Sequence, residues 1–400
     1  MKTGINLCLV LSLLLCFISQ VSVIAKENYD SIIVVPRKGN LNTTRLNKHG
    51  IFRLKKIKEQ IYVIPLNVNE NKELKIKELK RSRLFKLVEP DYKFFLDEAS
   101  SRKNFTTIDK NLVVPNDKDF SSQYYLKEIN ATKAWNTTVG NMILVGVLDS
   151  GIDTNHPDLV GKILIKEDLN DNNLINNETW HGTAVAGIIA ANTNNKQGIA
   201  GIAWNSRILS IKVTDDANSA RVSTIVAGLE LAYKEGVKIV QISLSTNEFS
   251  RVLQNAIEEA QSRGILVISS GGNSGLTELR YPAALPGVIG VGAVDKNQDI
   301  ESYSTTGDHI TLVAPGASIY TTSTGSNYAT VSGTSFAAPQ VAGACALIWS
   351  VAPDLTNNQV REILIQSTTD LGKTGKDSIF GYGLLNIEKA VEMAKVITTH

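Results

Sequence analysis

Cysteine is scarce in this 400-residue chain. Only Cys8, Cys16 and Cys345 occur. The first two fall in an apolar N-terminal run, Ile5 to Ile24, that follows Lys2 and leads to Val23-Ile24-Ala25. That pattern reads as a signal peptide over residues 1–25 with cleavage after Ala25. Once it is removed, a single thiol is left. An intramolecular disulfide is then excluded, and a buried apolar thiol is the expected state of Cys345. No second long hydrophobic span follows, so release is expected rather than a stable membrane anchor. Neither sign of charge prevails: the formal net charge is +2, with 20% charged and 43% hydrophobic residues, as in a globular chain. Histidine is sparse too. Of His49, His156, His181, His309 and His400, only His181 opens an apolar helix-like stretch.

Three segments stand out in what is present. Gly333-Thr334-Ser335 leads into an apolar stretch from Phe336 to Trp349, with Pro339 expected in the first helical turn. Ser335 would sit at a helix N-terminus, where free N–H groups and the positive dipole end favour developing negative charge. Such a serine is either an ordinary cap or a nucleophile whose attack creates an oxyanion. Val145-Gly146-Val147-Leu148 ends in Asp149 and a tight turn, as a buried parallel strand would when it delivers a carboxylate. His181-Gly182-Thr183 opens the run Ala184 to Ala191. Apolar strands alternate with helical stretches through the middle of the chain. The expected fold class is therefore α/β, a doubly wound parallel sheet with helices on both faces.

The order Asp149, His181, Ser335 is that of one serine-protease lineage and differs from two others. On these motifs the sequence resembles the subtilisin-like serine proteases, from about Asn116 to Ala394. The resemblance implies that Ser335 is the nucleophile, His181 its general base and Asp149 the group that orients the imidazole. Asn273, in Ser269-Ser270-Gly271-Gly272-Asn273, matches the side chain that binds the oxyanion. The resemblance also implies a processing history. Residues 26–98 would be a small ferredoxin-like α+β propeptide, both chaperone and inhibitor, with strands at Ser31–Val35 and Ile61–Leu66, a helical patch at Leu74–Leu79 and a closing strand at Phe85–Asp91. Residues 99–116 would be a linker, and 117–400 the catalytic domain. Residues 26–98 hold 17 basic and 10 acidic residues, a net +7, whereas 99–400 hold 23 and 29, a net −6. Opposite charge favours pairing of enzyme and propeptide. The basic residues are scattered rather than gathered into a patch with stacking aromatics, so nucleic acid is not an expected partner.

Two departures concern specificity. Many subtilisins carry Ser-Leu-Gly-Gly along the substrate channel, and this chain has Ser243-Leu244-Ser245-Thr246. Losing both glycines predicts a narrower channel. Arg280 precedes Tyr281-Pro282, where the family places a residue, often glycine, at the base of the S1 pocket. With Gly272 nearby, a guanidinium there predicts an acidic P1 residue, Glu above Asp, unless Arg280 pairs with Glu278. Glu98 is the only glutamate in the polar stretch from Glu98 through Asn116, so self-processing is expected at Glu98–Ala99. A secreted subtilase with these traits resembles the lantibiotic leader peptidases and cytolysin-activating proteases of Gram-positive bacteria. Its substrate would then be a modified precursor peptide. The alternatives are a general degradative protease and an inactive binding protein of the same fold. Asp117, Asp158 and Asn195 match positions that hold a structural calcium ion in relatives. Lys196 in the same loop is the rival occupant. No organic cofactor is implied.

Overall fold

A computed structural model describes residues 29–97 except 38–40, 42, 52 and 69, and residues 113–398 except 171–179. The expected signal segment and the Glu98–Ala99 bond lie outside the described residues. The chain divides into two units, Met1–Lys93 and Phe94–His400.

The first unit runs β1 (Ser31–Pro36), a helix (Thr43–Lys48), β2 (Lys55–Lys58), β3 (Ile61–Pro65), a helix (Lys72–Arg81) and β4 (Phe85–Pro90). The antiparallel sheet has the order β2-β3-β1-β4, the ferredoxin-like arrangement. Every residue of the central strand β1 is buried, and Ile32, Val34, Ile64, Leu79, Phe85 and Val88 form the core. The edge strand β2, Lys-Lys-Ile-Lys, has no buried residue. Its lysines are the kind of side chain that discourages pairing at an open edge, and they also conceal the strand from a hydrophobic pattern search. Asn71 caps the second helix by accepting from the Leu74 amide at 3.0 Å.

A short strand, β5 (Lys93–Leu96), comes next. The second unit then places β6 (Leu144–Asp149), β7 (Ile163–Asp168), β8 (Arg207–Lys212), β9 (Ser219–Arg221), β10 (Ile239–Ile242), β11 (Leu244–Ser245), β12 (Leu266–Ser270), β13 (Ile289–Val294), β14 (Ile310–Pro315) and the hairpin β15–β16 (Ile319–Ser323, Asn327–Val331). Seven of these make the central sheet, ordered β14-β13-β12-β10-β6-β8-β7, and the neighbouring pairs run parallel. From β6 the chain winds to one side for β7 and β8, then crosses to the other for β10 onward. The C-terminal end of β6 is thus the point of reversal, where open α/β sheets offer a crevice.

Two buried helices pack beside that crevice. Trp180–Ala190 is buried from His181 on, and Thr334–Val351 from Thr334 to Trp349. The second helix is apolar and long enough to cross a membrane by composition, yet 89% of it is buried within the protein. Its small residues permit close packing: a Cβ on Gly343 would come within 2.7 Å of Ile202. Pro339 is the sixth residue of this helix rather than part of its first turn. A proline there has no N–H for the carbonyl four residues back. The carbonyl so freed belongs to Ser335, and it accepts the Ser243 hydroxyl at 2.9 Å.

Candidate active site

Asp149 ends β6 and His181 opens its helix, and the two meet at the reversal point. His181 Nδ1 lies 2.8 Å from Asp149 Oδ1, with both side chains buried. The carboxylate can only accept, so Nδ1 carries the proton and Nε2 keeps its lone pair. The Ser150 amide donates to the same Asp149 oxygen at 2.7 Å, and the Gly182 amide donates to Ser150 Oγ at 3.1 Å. Glycine is required after the histidine: a Cβ on Gly182 would fall 2.2 Å from the Gly151 carbonyl and 3.2 Å from Asp149 Oδ1. The Phe336 ring lies 5.3 Å from the imidazole.

Ser335 is buried at the second position of its helix. Its Oγ donates to the Ser243 carbonyl at 3.2 Å, and Gln241 Nε2 donates to Ser243 Oγ at 2.6 Å. The end of β10 is thereby tied to the serine from both sides. Asn273 Oδ1 accepts from the Thr334 amide at 3.0 Å and from Thr334 Oγ1 at 2.8 Å. An amide N–H can be met only by the oxygen of the side chain, so the orientation is fixed and Nδ2 is left as a donor beside Gly333. Gly333 has φ 148°, open to glycine alone without strain. A Cβ there would lie 3.0 Å from Asn273 Nδ2. The set can therefore supply a nucleophile, an oriented base and a donor for an oxyanion.

The channel residues gather around this set. Leu244 and Ser245 form β11, which pairs antiparallel with β5: Leu244 opposite Leu96, Ser245 opposite Phe95. Gly272, at φ 102°, carries the Arg280 stem, since a Cβ there would meet Arg280 Cγ at 2.7 Å. The stem of Arg280 thus packs beside Asn273's neighbour Gly272, while its Nε lies 3.0 Å from Glu278 Oε1, and its charge is shared with that residue.

The model of the Subtilase family matches residues 140–383. The chain belongs to the subtilase family. It is 37% identical over 280 residues to thermitase of Thermoactinomyces vulgaris, covering 70% of this chain and 99% of thermitase. It is 39% identical over 256 residues to subtilisin Savinase of Lederbergia lenta, covering 63% and 91%. The solved structure of a protease from Pseudoalteromonas arctica superposes with a TM-score of 0.65 at 29% identity, covering 70% of this chain and 99% of that one. Fervidolysin of Fervidobacterium pennivorans, described as a keratinolytic enzyme related to subtilisin, gives 0.78 at 24% identity, covering 91% of this chain and 61% of its own, and so supports the fold alone. This subtilase is accordingly a serine endopeptidase of the subtilisin type.

The subtilase also brings Asp117, Asp158 and Asn195 together, and each of their side-chain oxygens accepts at least one hydrogen bond. Both Asp117 oxygens accept backbone amides, from Asn194 at 2.9 Å and Asn195 at 3.1 Å. Asp158 Oδ1 accepts Asn195 Nδ2 at 2.8 Å, and its Oδ2 accepts the Ile199 amide and the Tyr328 hydroxyl, each at 2.9 Å. Asn195 Oδ1 accepts the Gln197 amide at 2.8 Å. Among the described residues no group of three or more His, Cys, Asp or Glu could hold a metal ion. The trio is tied by these bonds into one turn, and no step is routed through a metal.

Sequence reading missed three residues of this site. Thr334 orients Asn273, Ser270 ends β12, and Asp97 accepts from both Ser245 and Ser270. Each depends on a partner distant along the chain, so no local pattern signals it.

Proposed function

We propose that Ser335 attacks the scissile carbonyl, His181 takes its proton through Nε2 and returns it to the leaving amine, and Asp149 holds the ring and stabilises its charged form. Asn273 Nδ2 and the free amides at the start of the Ser335 helix bind the oxyanion. The observation that carries this reading is the buried 2.8 Å contact between His181 Nδ1 and Asp149 Oδ1, at the sheet's reversal point and beside the Ser335 helix. Fluorophosphonate labelling tests it. The wild type should label at Ser335 and cut peptides, and Ser335→Ala should do neither. A labelled, active Ser335→Ala protein would overturn the assignment.

Our finer reading is a secreted, dedicated endopeptidase with acidic P1 preference, of the kind that removes a leader from an exported modified precursor. Ser245 and Thr246 in place of two glycines and Arg280 beside Gly272 support it. Secretion rests on the apolar run Ile5–Ile24 behind Lys2. The first unit serves as the propeptide, supported by its ferredoxin-like topology and by the opposite net charges of the two segments. A degradative role is the second reading. It is favoured by the Arg280–Glu278 pairing, which partly neutralises the proposed selector. Casein separates them: a dedicated enzyme leaves casein largely intact while cutting an acidic-P1 peptide, and broad casein turnover would remove the leader-peptidase reading.

A further inference from the structure

One carboxylate beside the active site has no part in the reaction just described. Asp97 follows β5, within the second unit, and is only 7% exposed. Burying a carboxylate costs several kcal/mol unless donors replace its water. Here two do. Ser245 Oγ donates to Oδ1 and Ser270 Oγ to Oδ2, each at 2.7 Å, the short distance of a charge-assisted bond. Ser245 stands where many subtilisins have glycine, and Ser270 lies on the strand that leads to Gly272 and Asn273. Burial raises the Asp97 pKa. The two serines oppose this most strongly, and the charges of Arg280 and His181 act in the same direction more weakly.

The backbone of Asp97 is equally telling. A Cβ placed on Gly333 would fall 2.5 Å from the Asp97 carbonyl oxygen and 3.0 Å from Asn273 Nδ2. Both atoms thus lie against Gly333, two residues from Ser335, and Asn273 Nδ2 has no hydrogen-bond partner among the described residues. Before Asp97, Phe95 and Leu96 run antiparallel to β11, and β5 also neighbours β9. An extended peptide between two strands, with its last carbonyl against Gly333 beside the nucleophile's helix, has the geometry of a substrate ahead of its scissile bond.

We propose that Asp97 is the P1 residue of the enzyme's own processing site, read by the Ser245 and Ser270 hydroxyls, so that this subtilase cuts after aspartate and its mature chain begins at Glu98. The proposal rests on the endopeptidase reading and sharpens its acidic preference. In the cut, Ser335 Oγ bonds to the Asp97 carbonyl carbon while His181 takes the hydroxyl proton. The bond to the Glu98 nitrogen breaks as His181 protonates that amine. Water then hydrolyses the Asp97 ester, freeing Ser335 and leaving a terminal carboxylate. The scissile bond moves one residue upstream of Glu98–Ala99, and the order of preference becomes Asp above Glu. A glutamate is one methylene longer and overshoots the two hydroxyls. Arg280, tied to Glu278, assists through its charge but is not the primary selector.

The test uses the full-length chain and its self-processed product. N-terminal sequencing of that product should give Glu98. A start at Ala99 or elsewhere overturns the assignment of Asp97. The mature enzyme is then given Lys-Phe-Phe-Leu-X-Glu-Ala-Ser peptides with X as Asp, Glu, Asn or Leu, and rates are normalised to fluorophosphonate-titrated sites so that misfolded protein does not count. Asp should exceed Glu by about tenfold, the usual worth of one methylene, and exceed Asn and Leu by more. Ser245→Ala and Ser270→Ala should each reduce the Asp-to-Leu ratio by roughly tenfold or more, as expected on losing a hydrogen bond to a charged group. Arg280→Gln should reduce it less, and a larger loss there than in either serine variant overturns the two-serine reading. A titratable enzyme that prefers Leu, or ignores the P1 charge, overturns the proposal and leaves the endopeptidase intact. If no site titrates and no peptide is cut, the endopeptidase reading itself fails.

Discussion

Asp149 and Asp97 are both buried carboxylates beside the same active site, yet they are held in different ways. Asp149 closes a strand in the middle of the sheet and is met by a backbone amide and the His181 ring. Asp97 follows a short strand and is met by two side-chain hydroxyls. The first environment is fixed by the backbone, and moving it would mean moving the sheet. The second can be rewritten by exchanging single side chains. The reaction is thus built into the core of the fold, and the choice of substrate is built on exchangeable groups along the channel.

The hardest test of this division is Ser335→Ala. It should lower kcat by roughly 10⁶-fold, the value measured for removing this serine in subtilisin itself, without loss of fold. Steady-state kinetics and circular dichroism check it. Asn273→Ala comes next, with a loss of about 10²–10³ in kcat for a missing oxyanion donor, a figure that also derives from subtilisin. The loss should be equal for Asp-P1 and Leu-P1 peptides, because the donor serves the reaction and not the choice. An unequal loss would break the division. Thr334→Val removes one of the two bonds that orient Asn273, and about a tenfold loss in kcat is expected with KM nearly unchanged.

How much of this could be read in the sequence follows the same line. Asp149, His181 and Ser335 are polar residues at the ends of apolar runs, and the strands and helices bearing them lie within about two residues of their expected bounds. Their positions are set by hydrophobic period, which is local. Asn273 was legible only through the resemblance, because its partner Thr334 is 61 residues away. Ser245 was read as a channel residue but not as a partner of Asp97, and Ser270 was given no role, since Asp97 lies 148 and 173 residues from them in the chain. The alternative noted for Arg280, a pairing with Glu278, is the one the structure shows. Pro339 misled by one turn, because sequence alone does not reveal that the Ser335 carbonyl has another donor.

Smaller effects test the periphery. His309 Nε2 lies 3.2 Å from the Gly271 carbonyl, just ahead of Asn273, and burial lowers the ring's pKa from 6.5, opposed by that hydrogen bond and by Asp308 and helped by Arg280 and Lys376. The fold therefore favours the neutral ring. Its contribution is complete above about pH 6.5 and is lost as pH falls, when the unfolded chain takes up the proton first. Urea midpoints should therefore drop below pH 6.5, and His309→Gln should flatten that slope. Least is expected from chelation. With the Asp117 and Asp158 oxygens already accepting hydrogen bonds, EDTA should leave Tm unchanged, and a fall would reinstate a calcium site.

Cys345 gives the molecule a built-in reporter. It is fully buried on the helix that begins with Ser335, and burial pushes its pKa up. In a form of the chain prepared without residues 1–25, no other thiol competes for a label. The rate at which a thiol dye reacts therefore measures how often that helix opens. The same chain can thus be followed for catalysis at one end of a single helix and for local unfolding three turns further along it.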